Sequence, residues 1–328
     1  MHVRQVIPRD SIPSIDAPRF ADEYPWSGDD EVIVVDAEPA RAYPLRILDY
    51  HEIVNDEVGR IDAAGFDAAD DAESIPIAVT WCPLCASAVV YDRRVDGRPL
   101  TFGVSGKLAD DDLVMYDRET ESEWKQSAGE AIAGELAGDR LDVLPATTLT
   151  ARRFAAEYPD GVVLQPVEDG ESEAAGDGDD PEPIDYDERP YGGYFSSDGF
   201  GLAAHRGEGG REWEREDIEA KTVVLGLEIG EEAVGVPLPS VEAAGGVLEL
   251  AVGGTDVVVV ADDGLHAFEH PGGDVEVDEE GRLVADGTTW DGATGESADG
   301  SELERVPARR LFAFAWQDDH GPEAFYEP

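Results

Sequence analysis

The chain of 328 residues holds two cysteines, three positions apart in Trp81-Cys82-Pro83-Leu84-Cys85. That spacing brings two sulfurs close enough to close a small-ring disulfide or to share one metal ion. Proline inside the loop limits backbone freedom, and the Cys-x-x-Cys arrangement can lower the pKa of the first thiol so that it attacks as a thiolate. In a reducing compartment such a pair is more often redox-active or metal-binding than a structural staple. In the leading reading Cys82 is the attacking thiol and Cys85 the resolving one. Arg93 or Arg94 would favour the thiolate if they point back at the pair.

The alternative is a metal site. A closed tetrahedral site needs four ligands, and the sequence has no second Cys-x-x-Cys, so histidine would have to contribute. Of the six histidines, His51 in Asp49-Tyr50-His51-Glu52 is the best placed, either as a ligand or as a base beside the thiols. Cys82, Cys85 and His51 would leave one position open and would suit Zn or Cu as cofactor. Neither reading excludes the other at this level. A third class is a non-catalytic binding module that uses the aromatic run Arg189-Pro190-Tyr191-Gly192-Gly193-Tyr194-Phe195, for which a tight packed turn is the plainer explanation. Trp81, Arg93, Tyr191 and Tyr194 are the candidate substrate-binding residues. The partner would be a small molecule or a redox partner protein.

The elements around the pair disfavour a thioredoxin arrangement, which needs a strand before the motif and a helix after it. Here Ala88–Tyr91 reads as a strand running into the hairpin Val95-Asp96-Gly97-Arg98, where Asp-Gly supplies the positive φ of a tight turn. The cysteines are therefore expected in a turn between strands. Ile75–Thr80, Pro99–Val104 and Leu113–Tyr116 read as further strands, and so do Val247–Val252, Val257–Ala261 and Leu265–Phe268. Helical patches are few, at Leu45–Val54 and Leu149–Tyr158. The fold class expected is α+β, mainly β, with short strands, hairpins and few helices.

Two stretches of the chain match each other. Glu38–Leu45 corresponds to Glu231–Leu238, with Glu, Ala, Pro and Leu in register. Trp124 and Gly129-Glu130 correspond to Trp290 and Gly295-Glu296, and Leu141–Ala146 to Leu303–Ala308. An internal duplication into two related lobes follows from this reading. The organisation expected is an N-terminal extension (1–31), a first lobe with the cysteines (32–167), an acidic linker (168–190), and a degenerate second lobe without cysteines (191–328). Asp262 falls opposite Cys85, so any chemistry of the pair belongs to the first lobe.

The composition sets the surroundings. Lys+Arg number 24 against 75 Asp+Glu, giving a formal charge of −51. Phosphate binding needs concentrated cations, so a nucleic-acid partner is not expected. No apolar run approaches the roughly 18 residues of a membrane span, and no signal peptide is visible at the start, so no membrane association and a cytoplasmic location are expected. Molar salt shortens the Debye length from about 8 Å to about 3 Å and would screen such a surface from itself. Acid-rich and nearly lysine-free, the composition is similar to that of haloarchaeal proteins. Acidic triplets such as Asp110-Asp111-Asp112 arise by chance at this composition and are read as solvated surface rather than as Ca²⁺ ligands.

Several segments together carry a family resemblance: Ala40–Leu48, His51–Asp56, the Cys-Pro-Leu-Cys core, Asp92–Arg98, Leu100–Gly106, Met115–Thr120 and Tyr191-Gly192-Gly193-Tyr194. They closely resemble the domain of unknown function 3179, over nearly the whole chain and most strongly from Ala40 to Ala146. The family supplies no activity or catalytic residues to carry over. Some members are selenoproteins, which implies redox use if selenium falls in the cysteine pair. The family pattern has Gly after the second cysteine where this chain has Ala86, which puts in doubt a knuckle that needs φ > 0 there.

Overall fold

The computed structural model describes residues 1–59, 61, 74–176, 178, 180–278, 281–285 and 287–327. Strand makes up 40% of the chain and helix 13%, so the protein is mainly β, with several small sheets and hairpins. Among the described residues no helix is long and apolar enough to cross a membrane.

Near the start, Glu31–Val35 pairs with Arg41–Pro44 on one side and Thr147–Thr150 on the other. The helix Leu45–His51 follows directly, and Ile53–Val58, Ile75–Cys82 and Ser87–Asp92 then form an antiparallel run. Later in the chain, Val223–Ile229 pairs with Glu232–Pro237 and with Ala308–Phe312. The helix Leu238–Ala243 follows, and Val247–Val252, Thr255–Ala261 and Leu265–Glu269 form a second antiparallel run. The last strand of each set leads into a helix, Ala151–Glu157 in one case and Ala313–His320 in the other. For these elements the order and the pairing are the same in the two stretches.

The stretches do not fold as separate lobes. One six-stranded sheet runs through Glu232–Pro237, Val223–Ile229, Ala308–Phe312, Ser87–Asp92, Ile75–Cys82 and Ile53–Val58, joining strands of both. The junction is the pairing of Arg310 with Ala88. Ile75–Cys82 is covered on both faces and buries seven of its eight residues, as the unbroken Ile-Ala-Val-Thr-Trp-Cys run requires. The segments expected to be peripheral are also built in. Val3–Gln5 pairs with Lys107–Ala109, and Ile15 exchanges backbone hydrogen bonds with Ile53 and Asn55 at 2.9 and 2.8 Å. Within the acidic segment, whose positions 177 and 179 lie outside the described residues, Glu171–Ser172 pairs with Glu182–Pro183. Tyr186 packs into the main core.

The sequence places the strands of the cysteine region well, and the Asp96-Gly97 turn has φ of 51° and 74° at the two positions. The helix Leu45–His51 stops earlier than expected, because Glu52 adopts φ 56° and its N–H caps Leu48 O at 2.8 Å. The helix Ala313–His320 was not expected at all.

One buried histidine ties the two stretches together. His266 takes a hydrogen bond from the Thr147 hydroxyl at Nδ1 (2.6 Å) and donates from Nε2 to Asp262 O (2.6 Å). Burial, reinforced by Arg305, pushes its pKa down to about 3. The unfolded chain takes up this proton near pH 6.5, so the group's stabilisation is complete above that pH and is lost as pH falls towards 3. Urea denaturation at pH 7 and pH 5 should show about 2 kcal/mol of loss from this group. In His266→Gln that part of the loss should vanish; an unchanged difference would show the histidine to be uninvolved.

Candidate functional site

The strand Ile75–Cys82 ends on the first cysteine, and Pro83–Ala86 turn the chain back into Ser87–Asp92. Cys82 and Cys85 therefore lie in a turn between strands, as the sequence indicates. Ala86 holds φ 47°, so the left-handed conformation that favours glycine is present although the residue is alanine. Three contacts fix the turn: Phe312 N donates to Cys85 O at 2.7 Å, the Tyr194 hydroxyl to Leu84 O at 2.7 Å, and Trp81 N to Glu52 O at 2.8 Å.

Asp112, the first residue of the strand Asp112–Asp117, completes the site. Cys82, Cys85 and Asp112 offer ligand atoms that all lie within 4.8 Å of one another, and all three residues are buried. The Cys85 thiol donates weakly to Asp111 O at 3.4 Å. Asp112 Oδ2 accepts from Ser127 N at 2.9 Å, whereas Asp112 Oδ1 is buried without a hydrogen-bond partner. Such an atom is costly unless something outside the protein satisfies it. Ser87 Oγ and Gln126 Oε1, on residues that adjoin the turn and Ser127, are also buried without partners.

The electrostatics is that of a pocket crowded with acids. Burial pushes the Cys82 thiol up, while its hydrogen bond with Cys85 pulls the other way. Burial together with Cys82 drives Cys85 well above its ordinary range. Burial likewise raises Asp112 to about 6, with Lys125 opposing, and Asp49 to about 7, with the Trp81 indole opposing. Glu52 rises to about 8 through burial and the neighbouring Glu173 and Asp112. For both thiols burial works against the thiolate that the spacing is expected to favour.

Lys125 is a cation whose charge acts on both Asp112 and Cys85. It pairs with Asp319 of the helix Ala313–His320, with the two side chains only 7% and 6% exposed. Burial disfavours its charge, yet Asp319 and Asp112 hold the ammonium above its ordinary value. The second oxygen of Asp319 accepts from the Ser127 hydroxyl at 2.6 Å, so one carboxylate clamps both residues.

The other candidates from the sequence have different roles. His51 is not part of the cluster: Nδ1 donates to Pro13 O at 2.8 Å and Nε2 accepts from the Tyr186 hydroxyl at 2.7 Å, leaving neither nitrogen for a metal. Burial lowers its pKa to about 4. Arg93 spends its guanidinium on the carbonyls of Ile77, Leu100 and Asp56, and Arg94 pairs with Asp92, so neither points back at the thiols. Trp81 donates its indole N–H to Asp49 at 2.9 Å. Tyr194 is buried and braces the turn through Leu84 O. Tyr191 is buried, stacked on His205 at 4.8 Å, and lines a cavity of about 80 Å³ with Leu84 and Glu52. Asp112 went unrecognised because its triplet was discounted as solvated surface, whereas Asp111 is 7% and Asp112 1% exposed. The one signal that pointed this way was the scarcity of lysine, since Lys125 is one of only three.

Fold and site together define a mainly β protein with a buried dithiol–carboxylate trio and, near it, a buried ion pair. The chain belongs to the family described as protein of unknown function (DUF3179), whose family model matches residues 9–324 and so spans both stretches. No curated protein and no solved structure matches it.

Cutting the closing ion pair tests this geometry. Lys125→Met and Asp319→Asn should each cost about 3–5 kcal/mol in chemical denaturation, because the surviving partner stays buried and unpaired. The double substitution should cost clearly less than the sum. Strict additivity would mean that the two side chains do not interact.

Proposed function

We propose that the protein binds a thiophilic divalent cation, zinc foremost, through Cys82, Cys85 and Asp112. The observation that carries this reading is the unpartnered Asp112 Oδ1 in a trio whose ligand atoms lie within 4.8 Å of one another. Two thiolates on one tetrahedral zinc sit about 3.8 Å apart, a spacing that this turn can reach by rotating side chains. Sulfur ligands select zinc over the hard cations, and three protein ligands leave a fourth position for water or a small ligand. Binding requires both thiols to lose their protons, so affinity should fall as pH is lowered.

The redox reading retains one specific support, the hydrogen bond between the thiols, which makes Cys82 the more acidic of the pair. On that reading both thiols give up a proton and the pair gives up two electrons to an acceptor disulfide. Elemental analysis and thiol counting on protein purified without an affinity metal separate the two. The metal reading expects stoichiometric zinc, thiols shielded until a chelator is added, and loss of the metal in Cys82→Ser, Cys85→Ser and Asp112→Asn. Metal-free protein whose thiols cycle reversibly to a disulfide would overturn it in favour of the redox couple.

We also infer that the two stretches descend from one duplicated unit and that the protein works in a salt-rich cytoplasm. Their common element order supports the first, as do the paired contacts Leu141 N to Gly129 O and Leu303 N to Gly295 O, both 2.9 Å. The charge of −51 supports the second. Dialysis from molar to low salt should collapse the far-UV circular dichroism, and a spectrum that stays native would refute the high-salt reading.

A further inference from the structure

Beside the cysteine turn lies a second feature that the trio does not use. A cavity of about 370 Å³ opens against the outer side of the turn, with Trp81 and Ala86 in its wall. The size is that of a small-molecule site. Neither thiol lines it, so whatever it holds touches the turn through the backbone and through Trp81.

Two properties of the wall are unusual for this chain. The first is charge. Three of the 24 lysines and arginines, Arg189, Lys221 and Arg310, converge here although acids outnumber cations about threefold. The four acids in the same wall already have donors: Asp29 takes Arg152, Asp30 takes Arg46, Arg189 and the Tyr24 hydroxyl, Glu31 takes Arg310, and Asp49 takes the Trp81 indole. Lys221 differs from the other two lysines. Lys107 and Lys125 pair with Glu123 and Asp319, whereas the Lys221 ammonium donates to the carbonyls of Tyr194 (2.7 Å) and Ser197 and sits 4.6 Å from the Tyr194 ring centroid. Among the described residues no carboxylate forms an ion pair with it.

The second property is apolar exposure. Phe195 is 39% exposed, one of the few large apolar side chains so placed, and it meets Phe312 edge-on with ring centroids 6.1 Å apart. An exposed aromatic next to a cation without a carboxylate partner is a surface complementary to an anion that carries an apolar body.

We propose that this cleft binds a small organic carboxylate. Its anionic group meets Lys221 and the Arg310 guanidinium, and its apolar body lies on Phe195 and Phe312. Arg310 also donates to Ala86 O at 3.3 Å, and Phe312 N to Cys85 O, so the bound molecule rests on the residues that hold the cysteine turn. The inference goes beyond metal binding, and its test needs no metal, so the two readings stand or fall separately.

The probe is 2-naphthoate, titrated calorimetrically into the full chain at high salt, with 2-naphthamide as its uncharged counterpart. Saturable binding of the acid is expected, with markedly weaker binding of the amide. Lys221→Met should weaken the acid about tenfold, the scale of one charge-assisted hydrogen bond. Lys221→Arg should retain most of the affinity. Phe195→Ser, at an exposed position whose loss leaves the Lys221 anchor intact, should weaken acid and amide alike by several-fold. The proposal is overturned if the acid shows no saturable binding, if the amide binds as well, or if folded Phe195→Ser and Lys221→Met both bind like the parent.

Discussion

Lys125 and Asp319 meet across 194 residues of sequence in a place from which water is nearly excluded. A buried pair of this kind gains little over apolar packing, but either member alone would be a buried charge without compensation. Each therefore obliges the other to be there. Lys125 brings its charge beside Asp112 and Cys85, and Asp319 ties to it the helix Ala313–His320, which packs on Val223–Ile229, Glu232–Pro237 and Ala308–Phe312. Apolar contacts aim that helix. Trp316 lies where Gly226 and Gly235 leave room, and a Cβ at either glycine would sit 2.2 or 2.5 Å from its ring.

The same construction occurs with its charges exchanged. When the two stretches are aligned on their matching sequence, position 262 falls opposite Cys85 and position 291 opposite Lys125, and both hold aspartate. Arg153, on the helix Ala151–Glu157, pairs with both, the Asp262 contact being 3.3 Å. In each case the helix after the last strand of one stretch supplies the counter-charge to the turn region of the other. One of the two sites has thiols, a carboxylate and an unpartnered oxygen. The other has no cysteine and is an ion-pair cluster in which Arg153 meets Glu157, Asp262 and Asp291.

Local features were legible in the sequence and distant ones were not. Alternation, turn residues and the Cys-Pro-Leu-Cys spacing act within a few residues, and the strands around the pair and its place in a turn follow from them. His51 was attractive because it is a metal-binding residue type upstream of the cysteines. Its ring is committed to Pro13 and Tyr186, contacts 38 and 135 residues away that no local pattern displays. Asp112 was set aside by an argument about averages, and an average says nothing about which acid a fold buries. The N-terminal extension and the acidic linker looked peripheral because they are polar. A backbone can still pair in a sheet when its side chains are polar, and Val3–Gln5 and Glu171–Ser172 both do so.

The order in which the chain is made gives the closing helix another meaning. Ribosomes add roughly 5–20 residues per second, so Asp319 follows Lys125 by about 10 to 40 seconds. Throughout that interval Lys125 is without the carboxylate that compensates its burial. The Phe312 N to Cys85 O contact and the Arg310–Ala88 pairing are missing for nearly as long. The burial around Cys82, Cys85 and Asp112 is thus completed by segments made long after the residues they enclose.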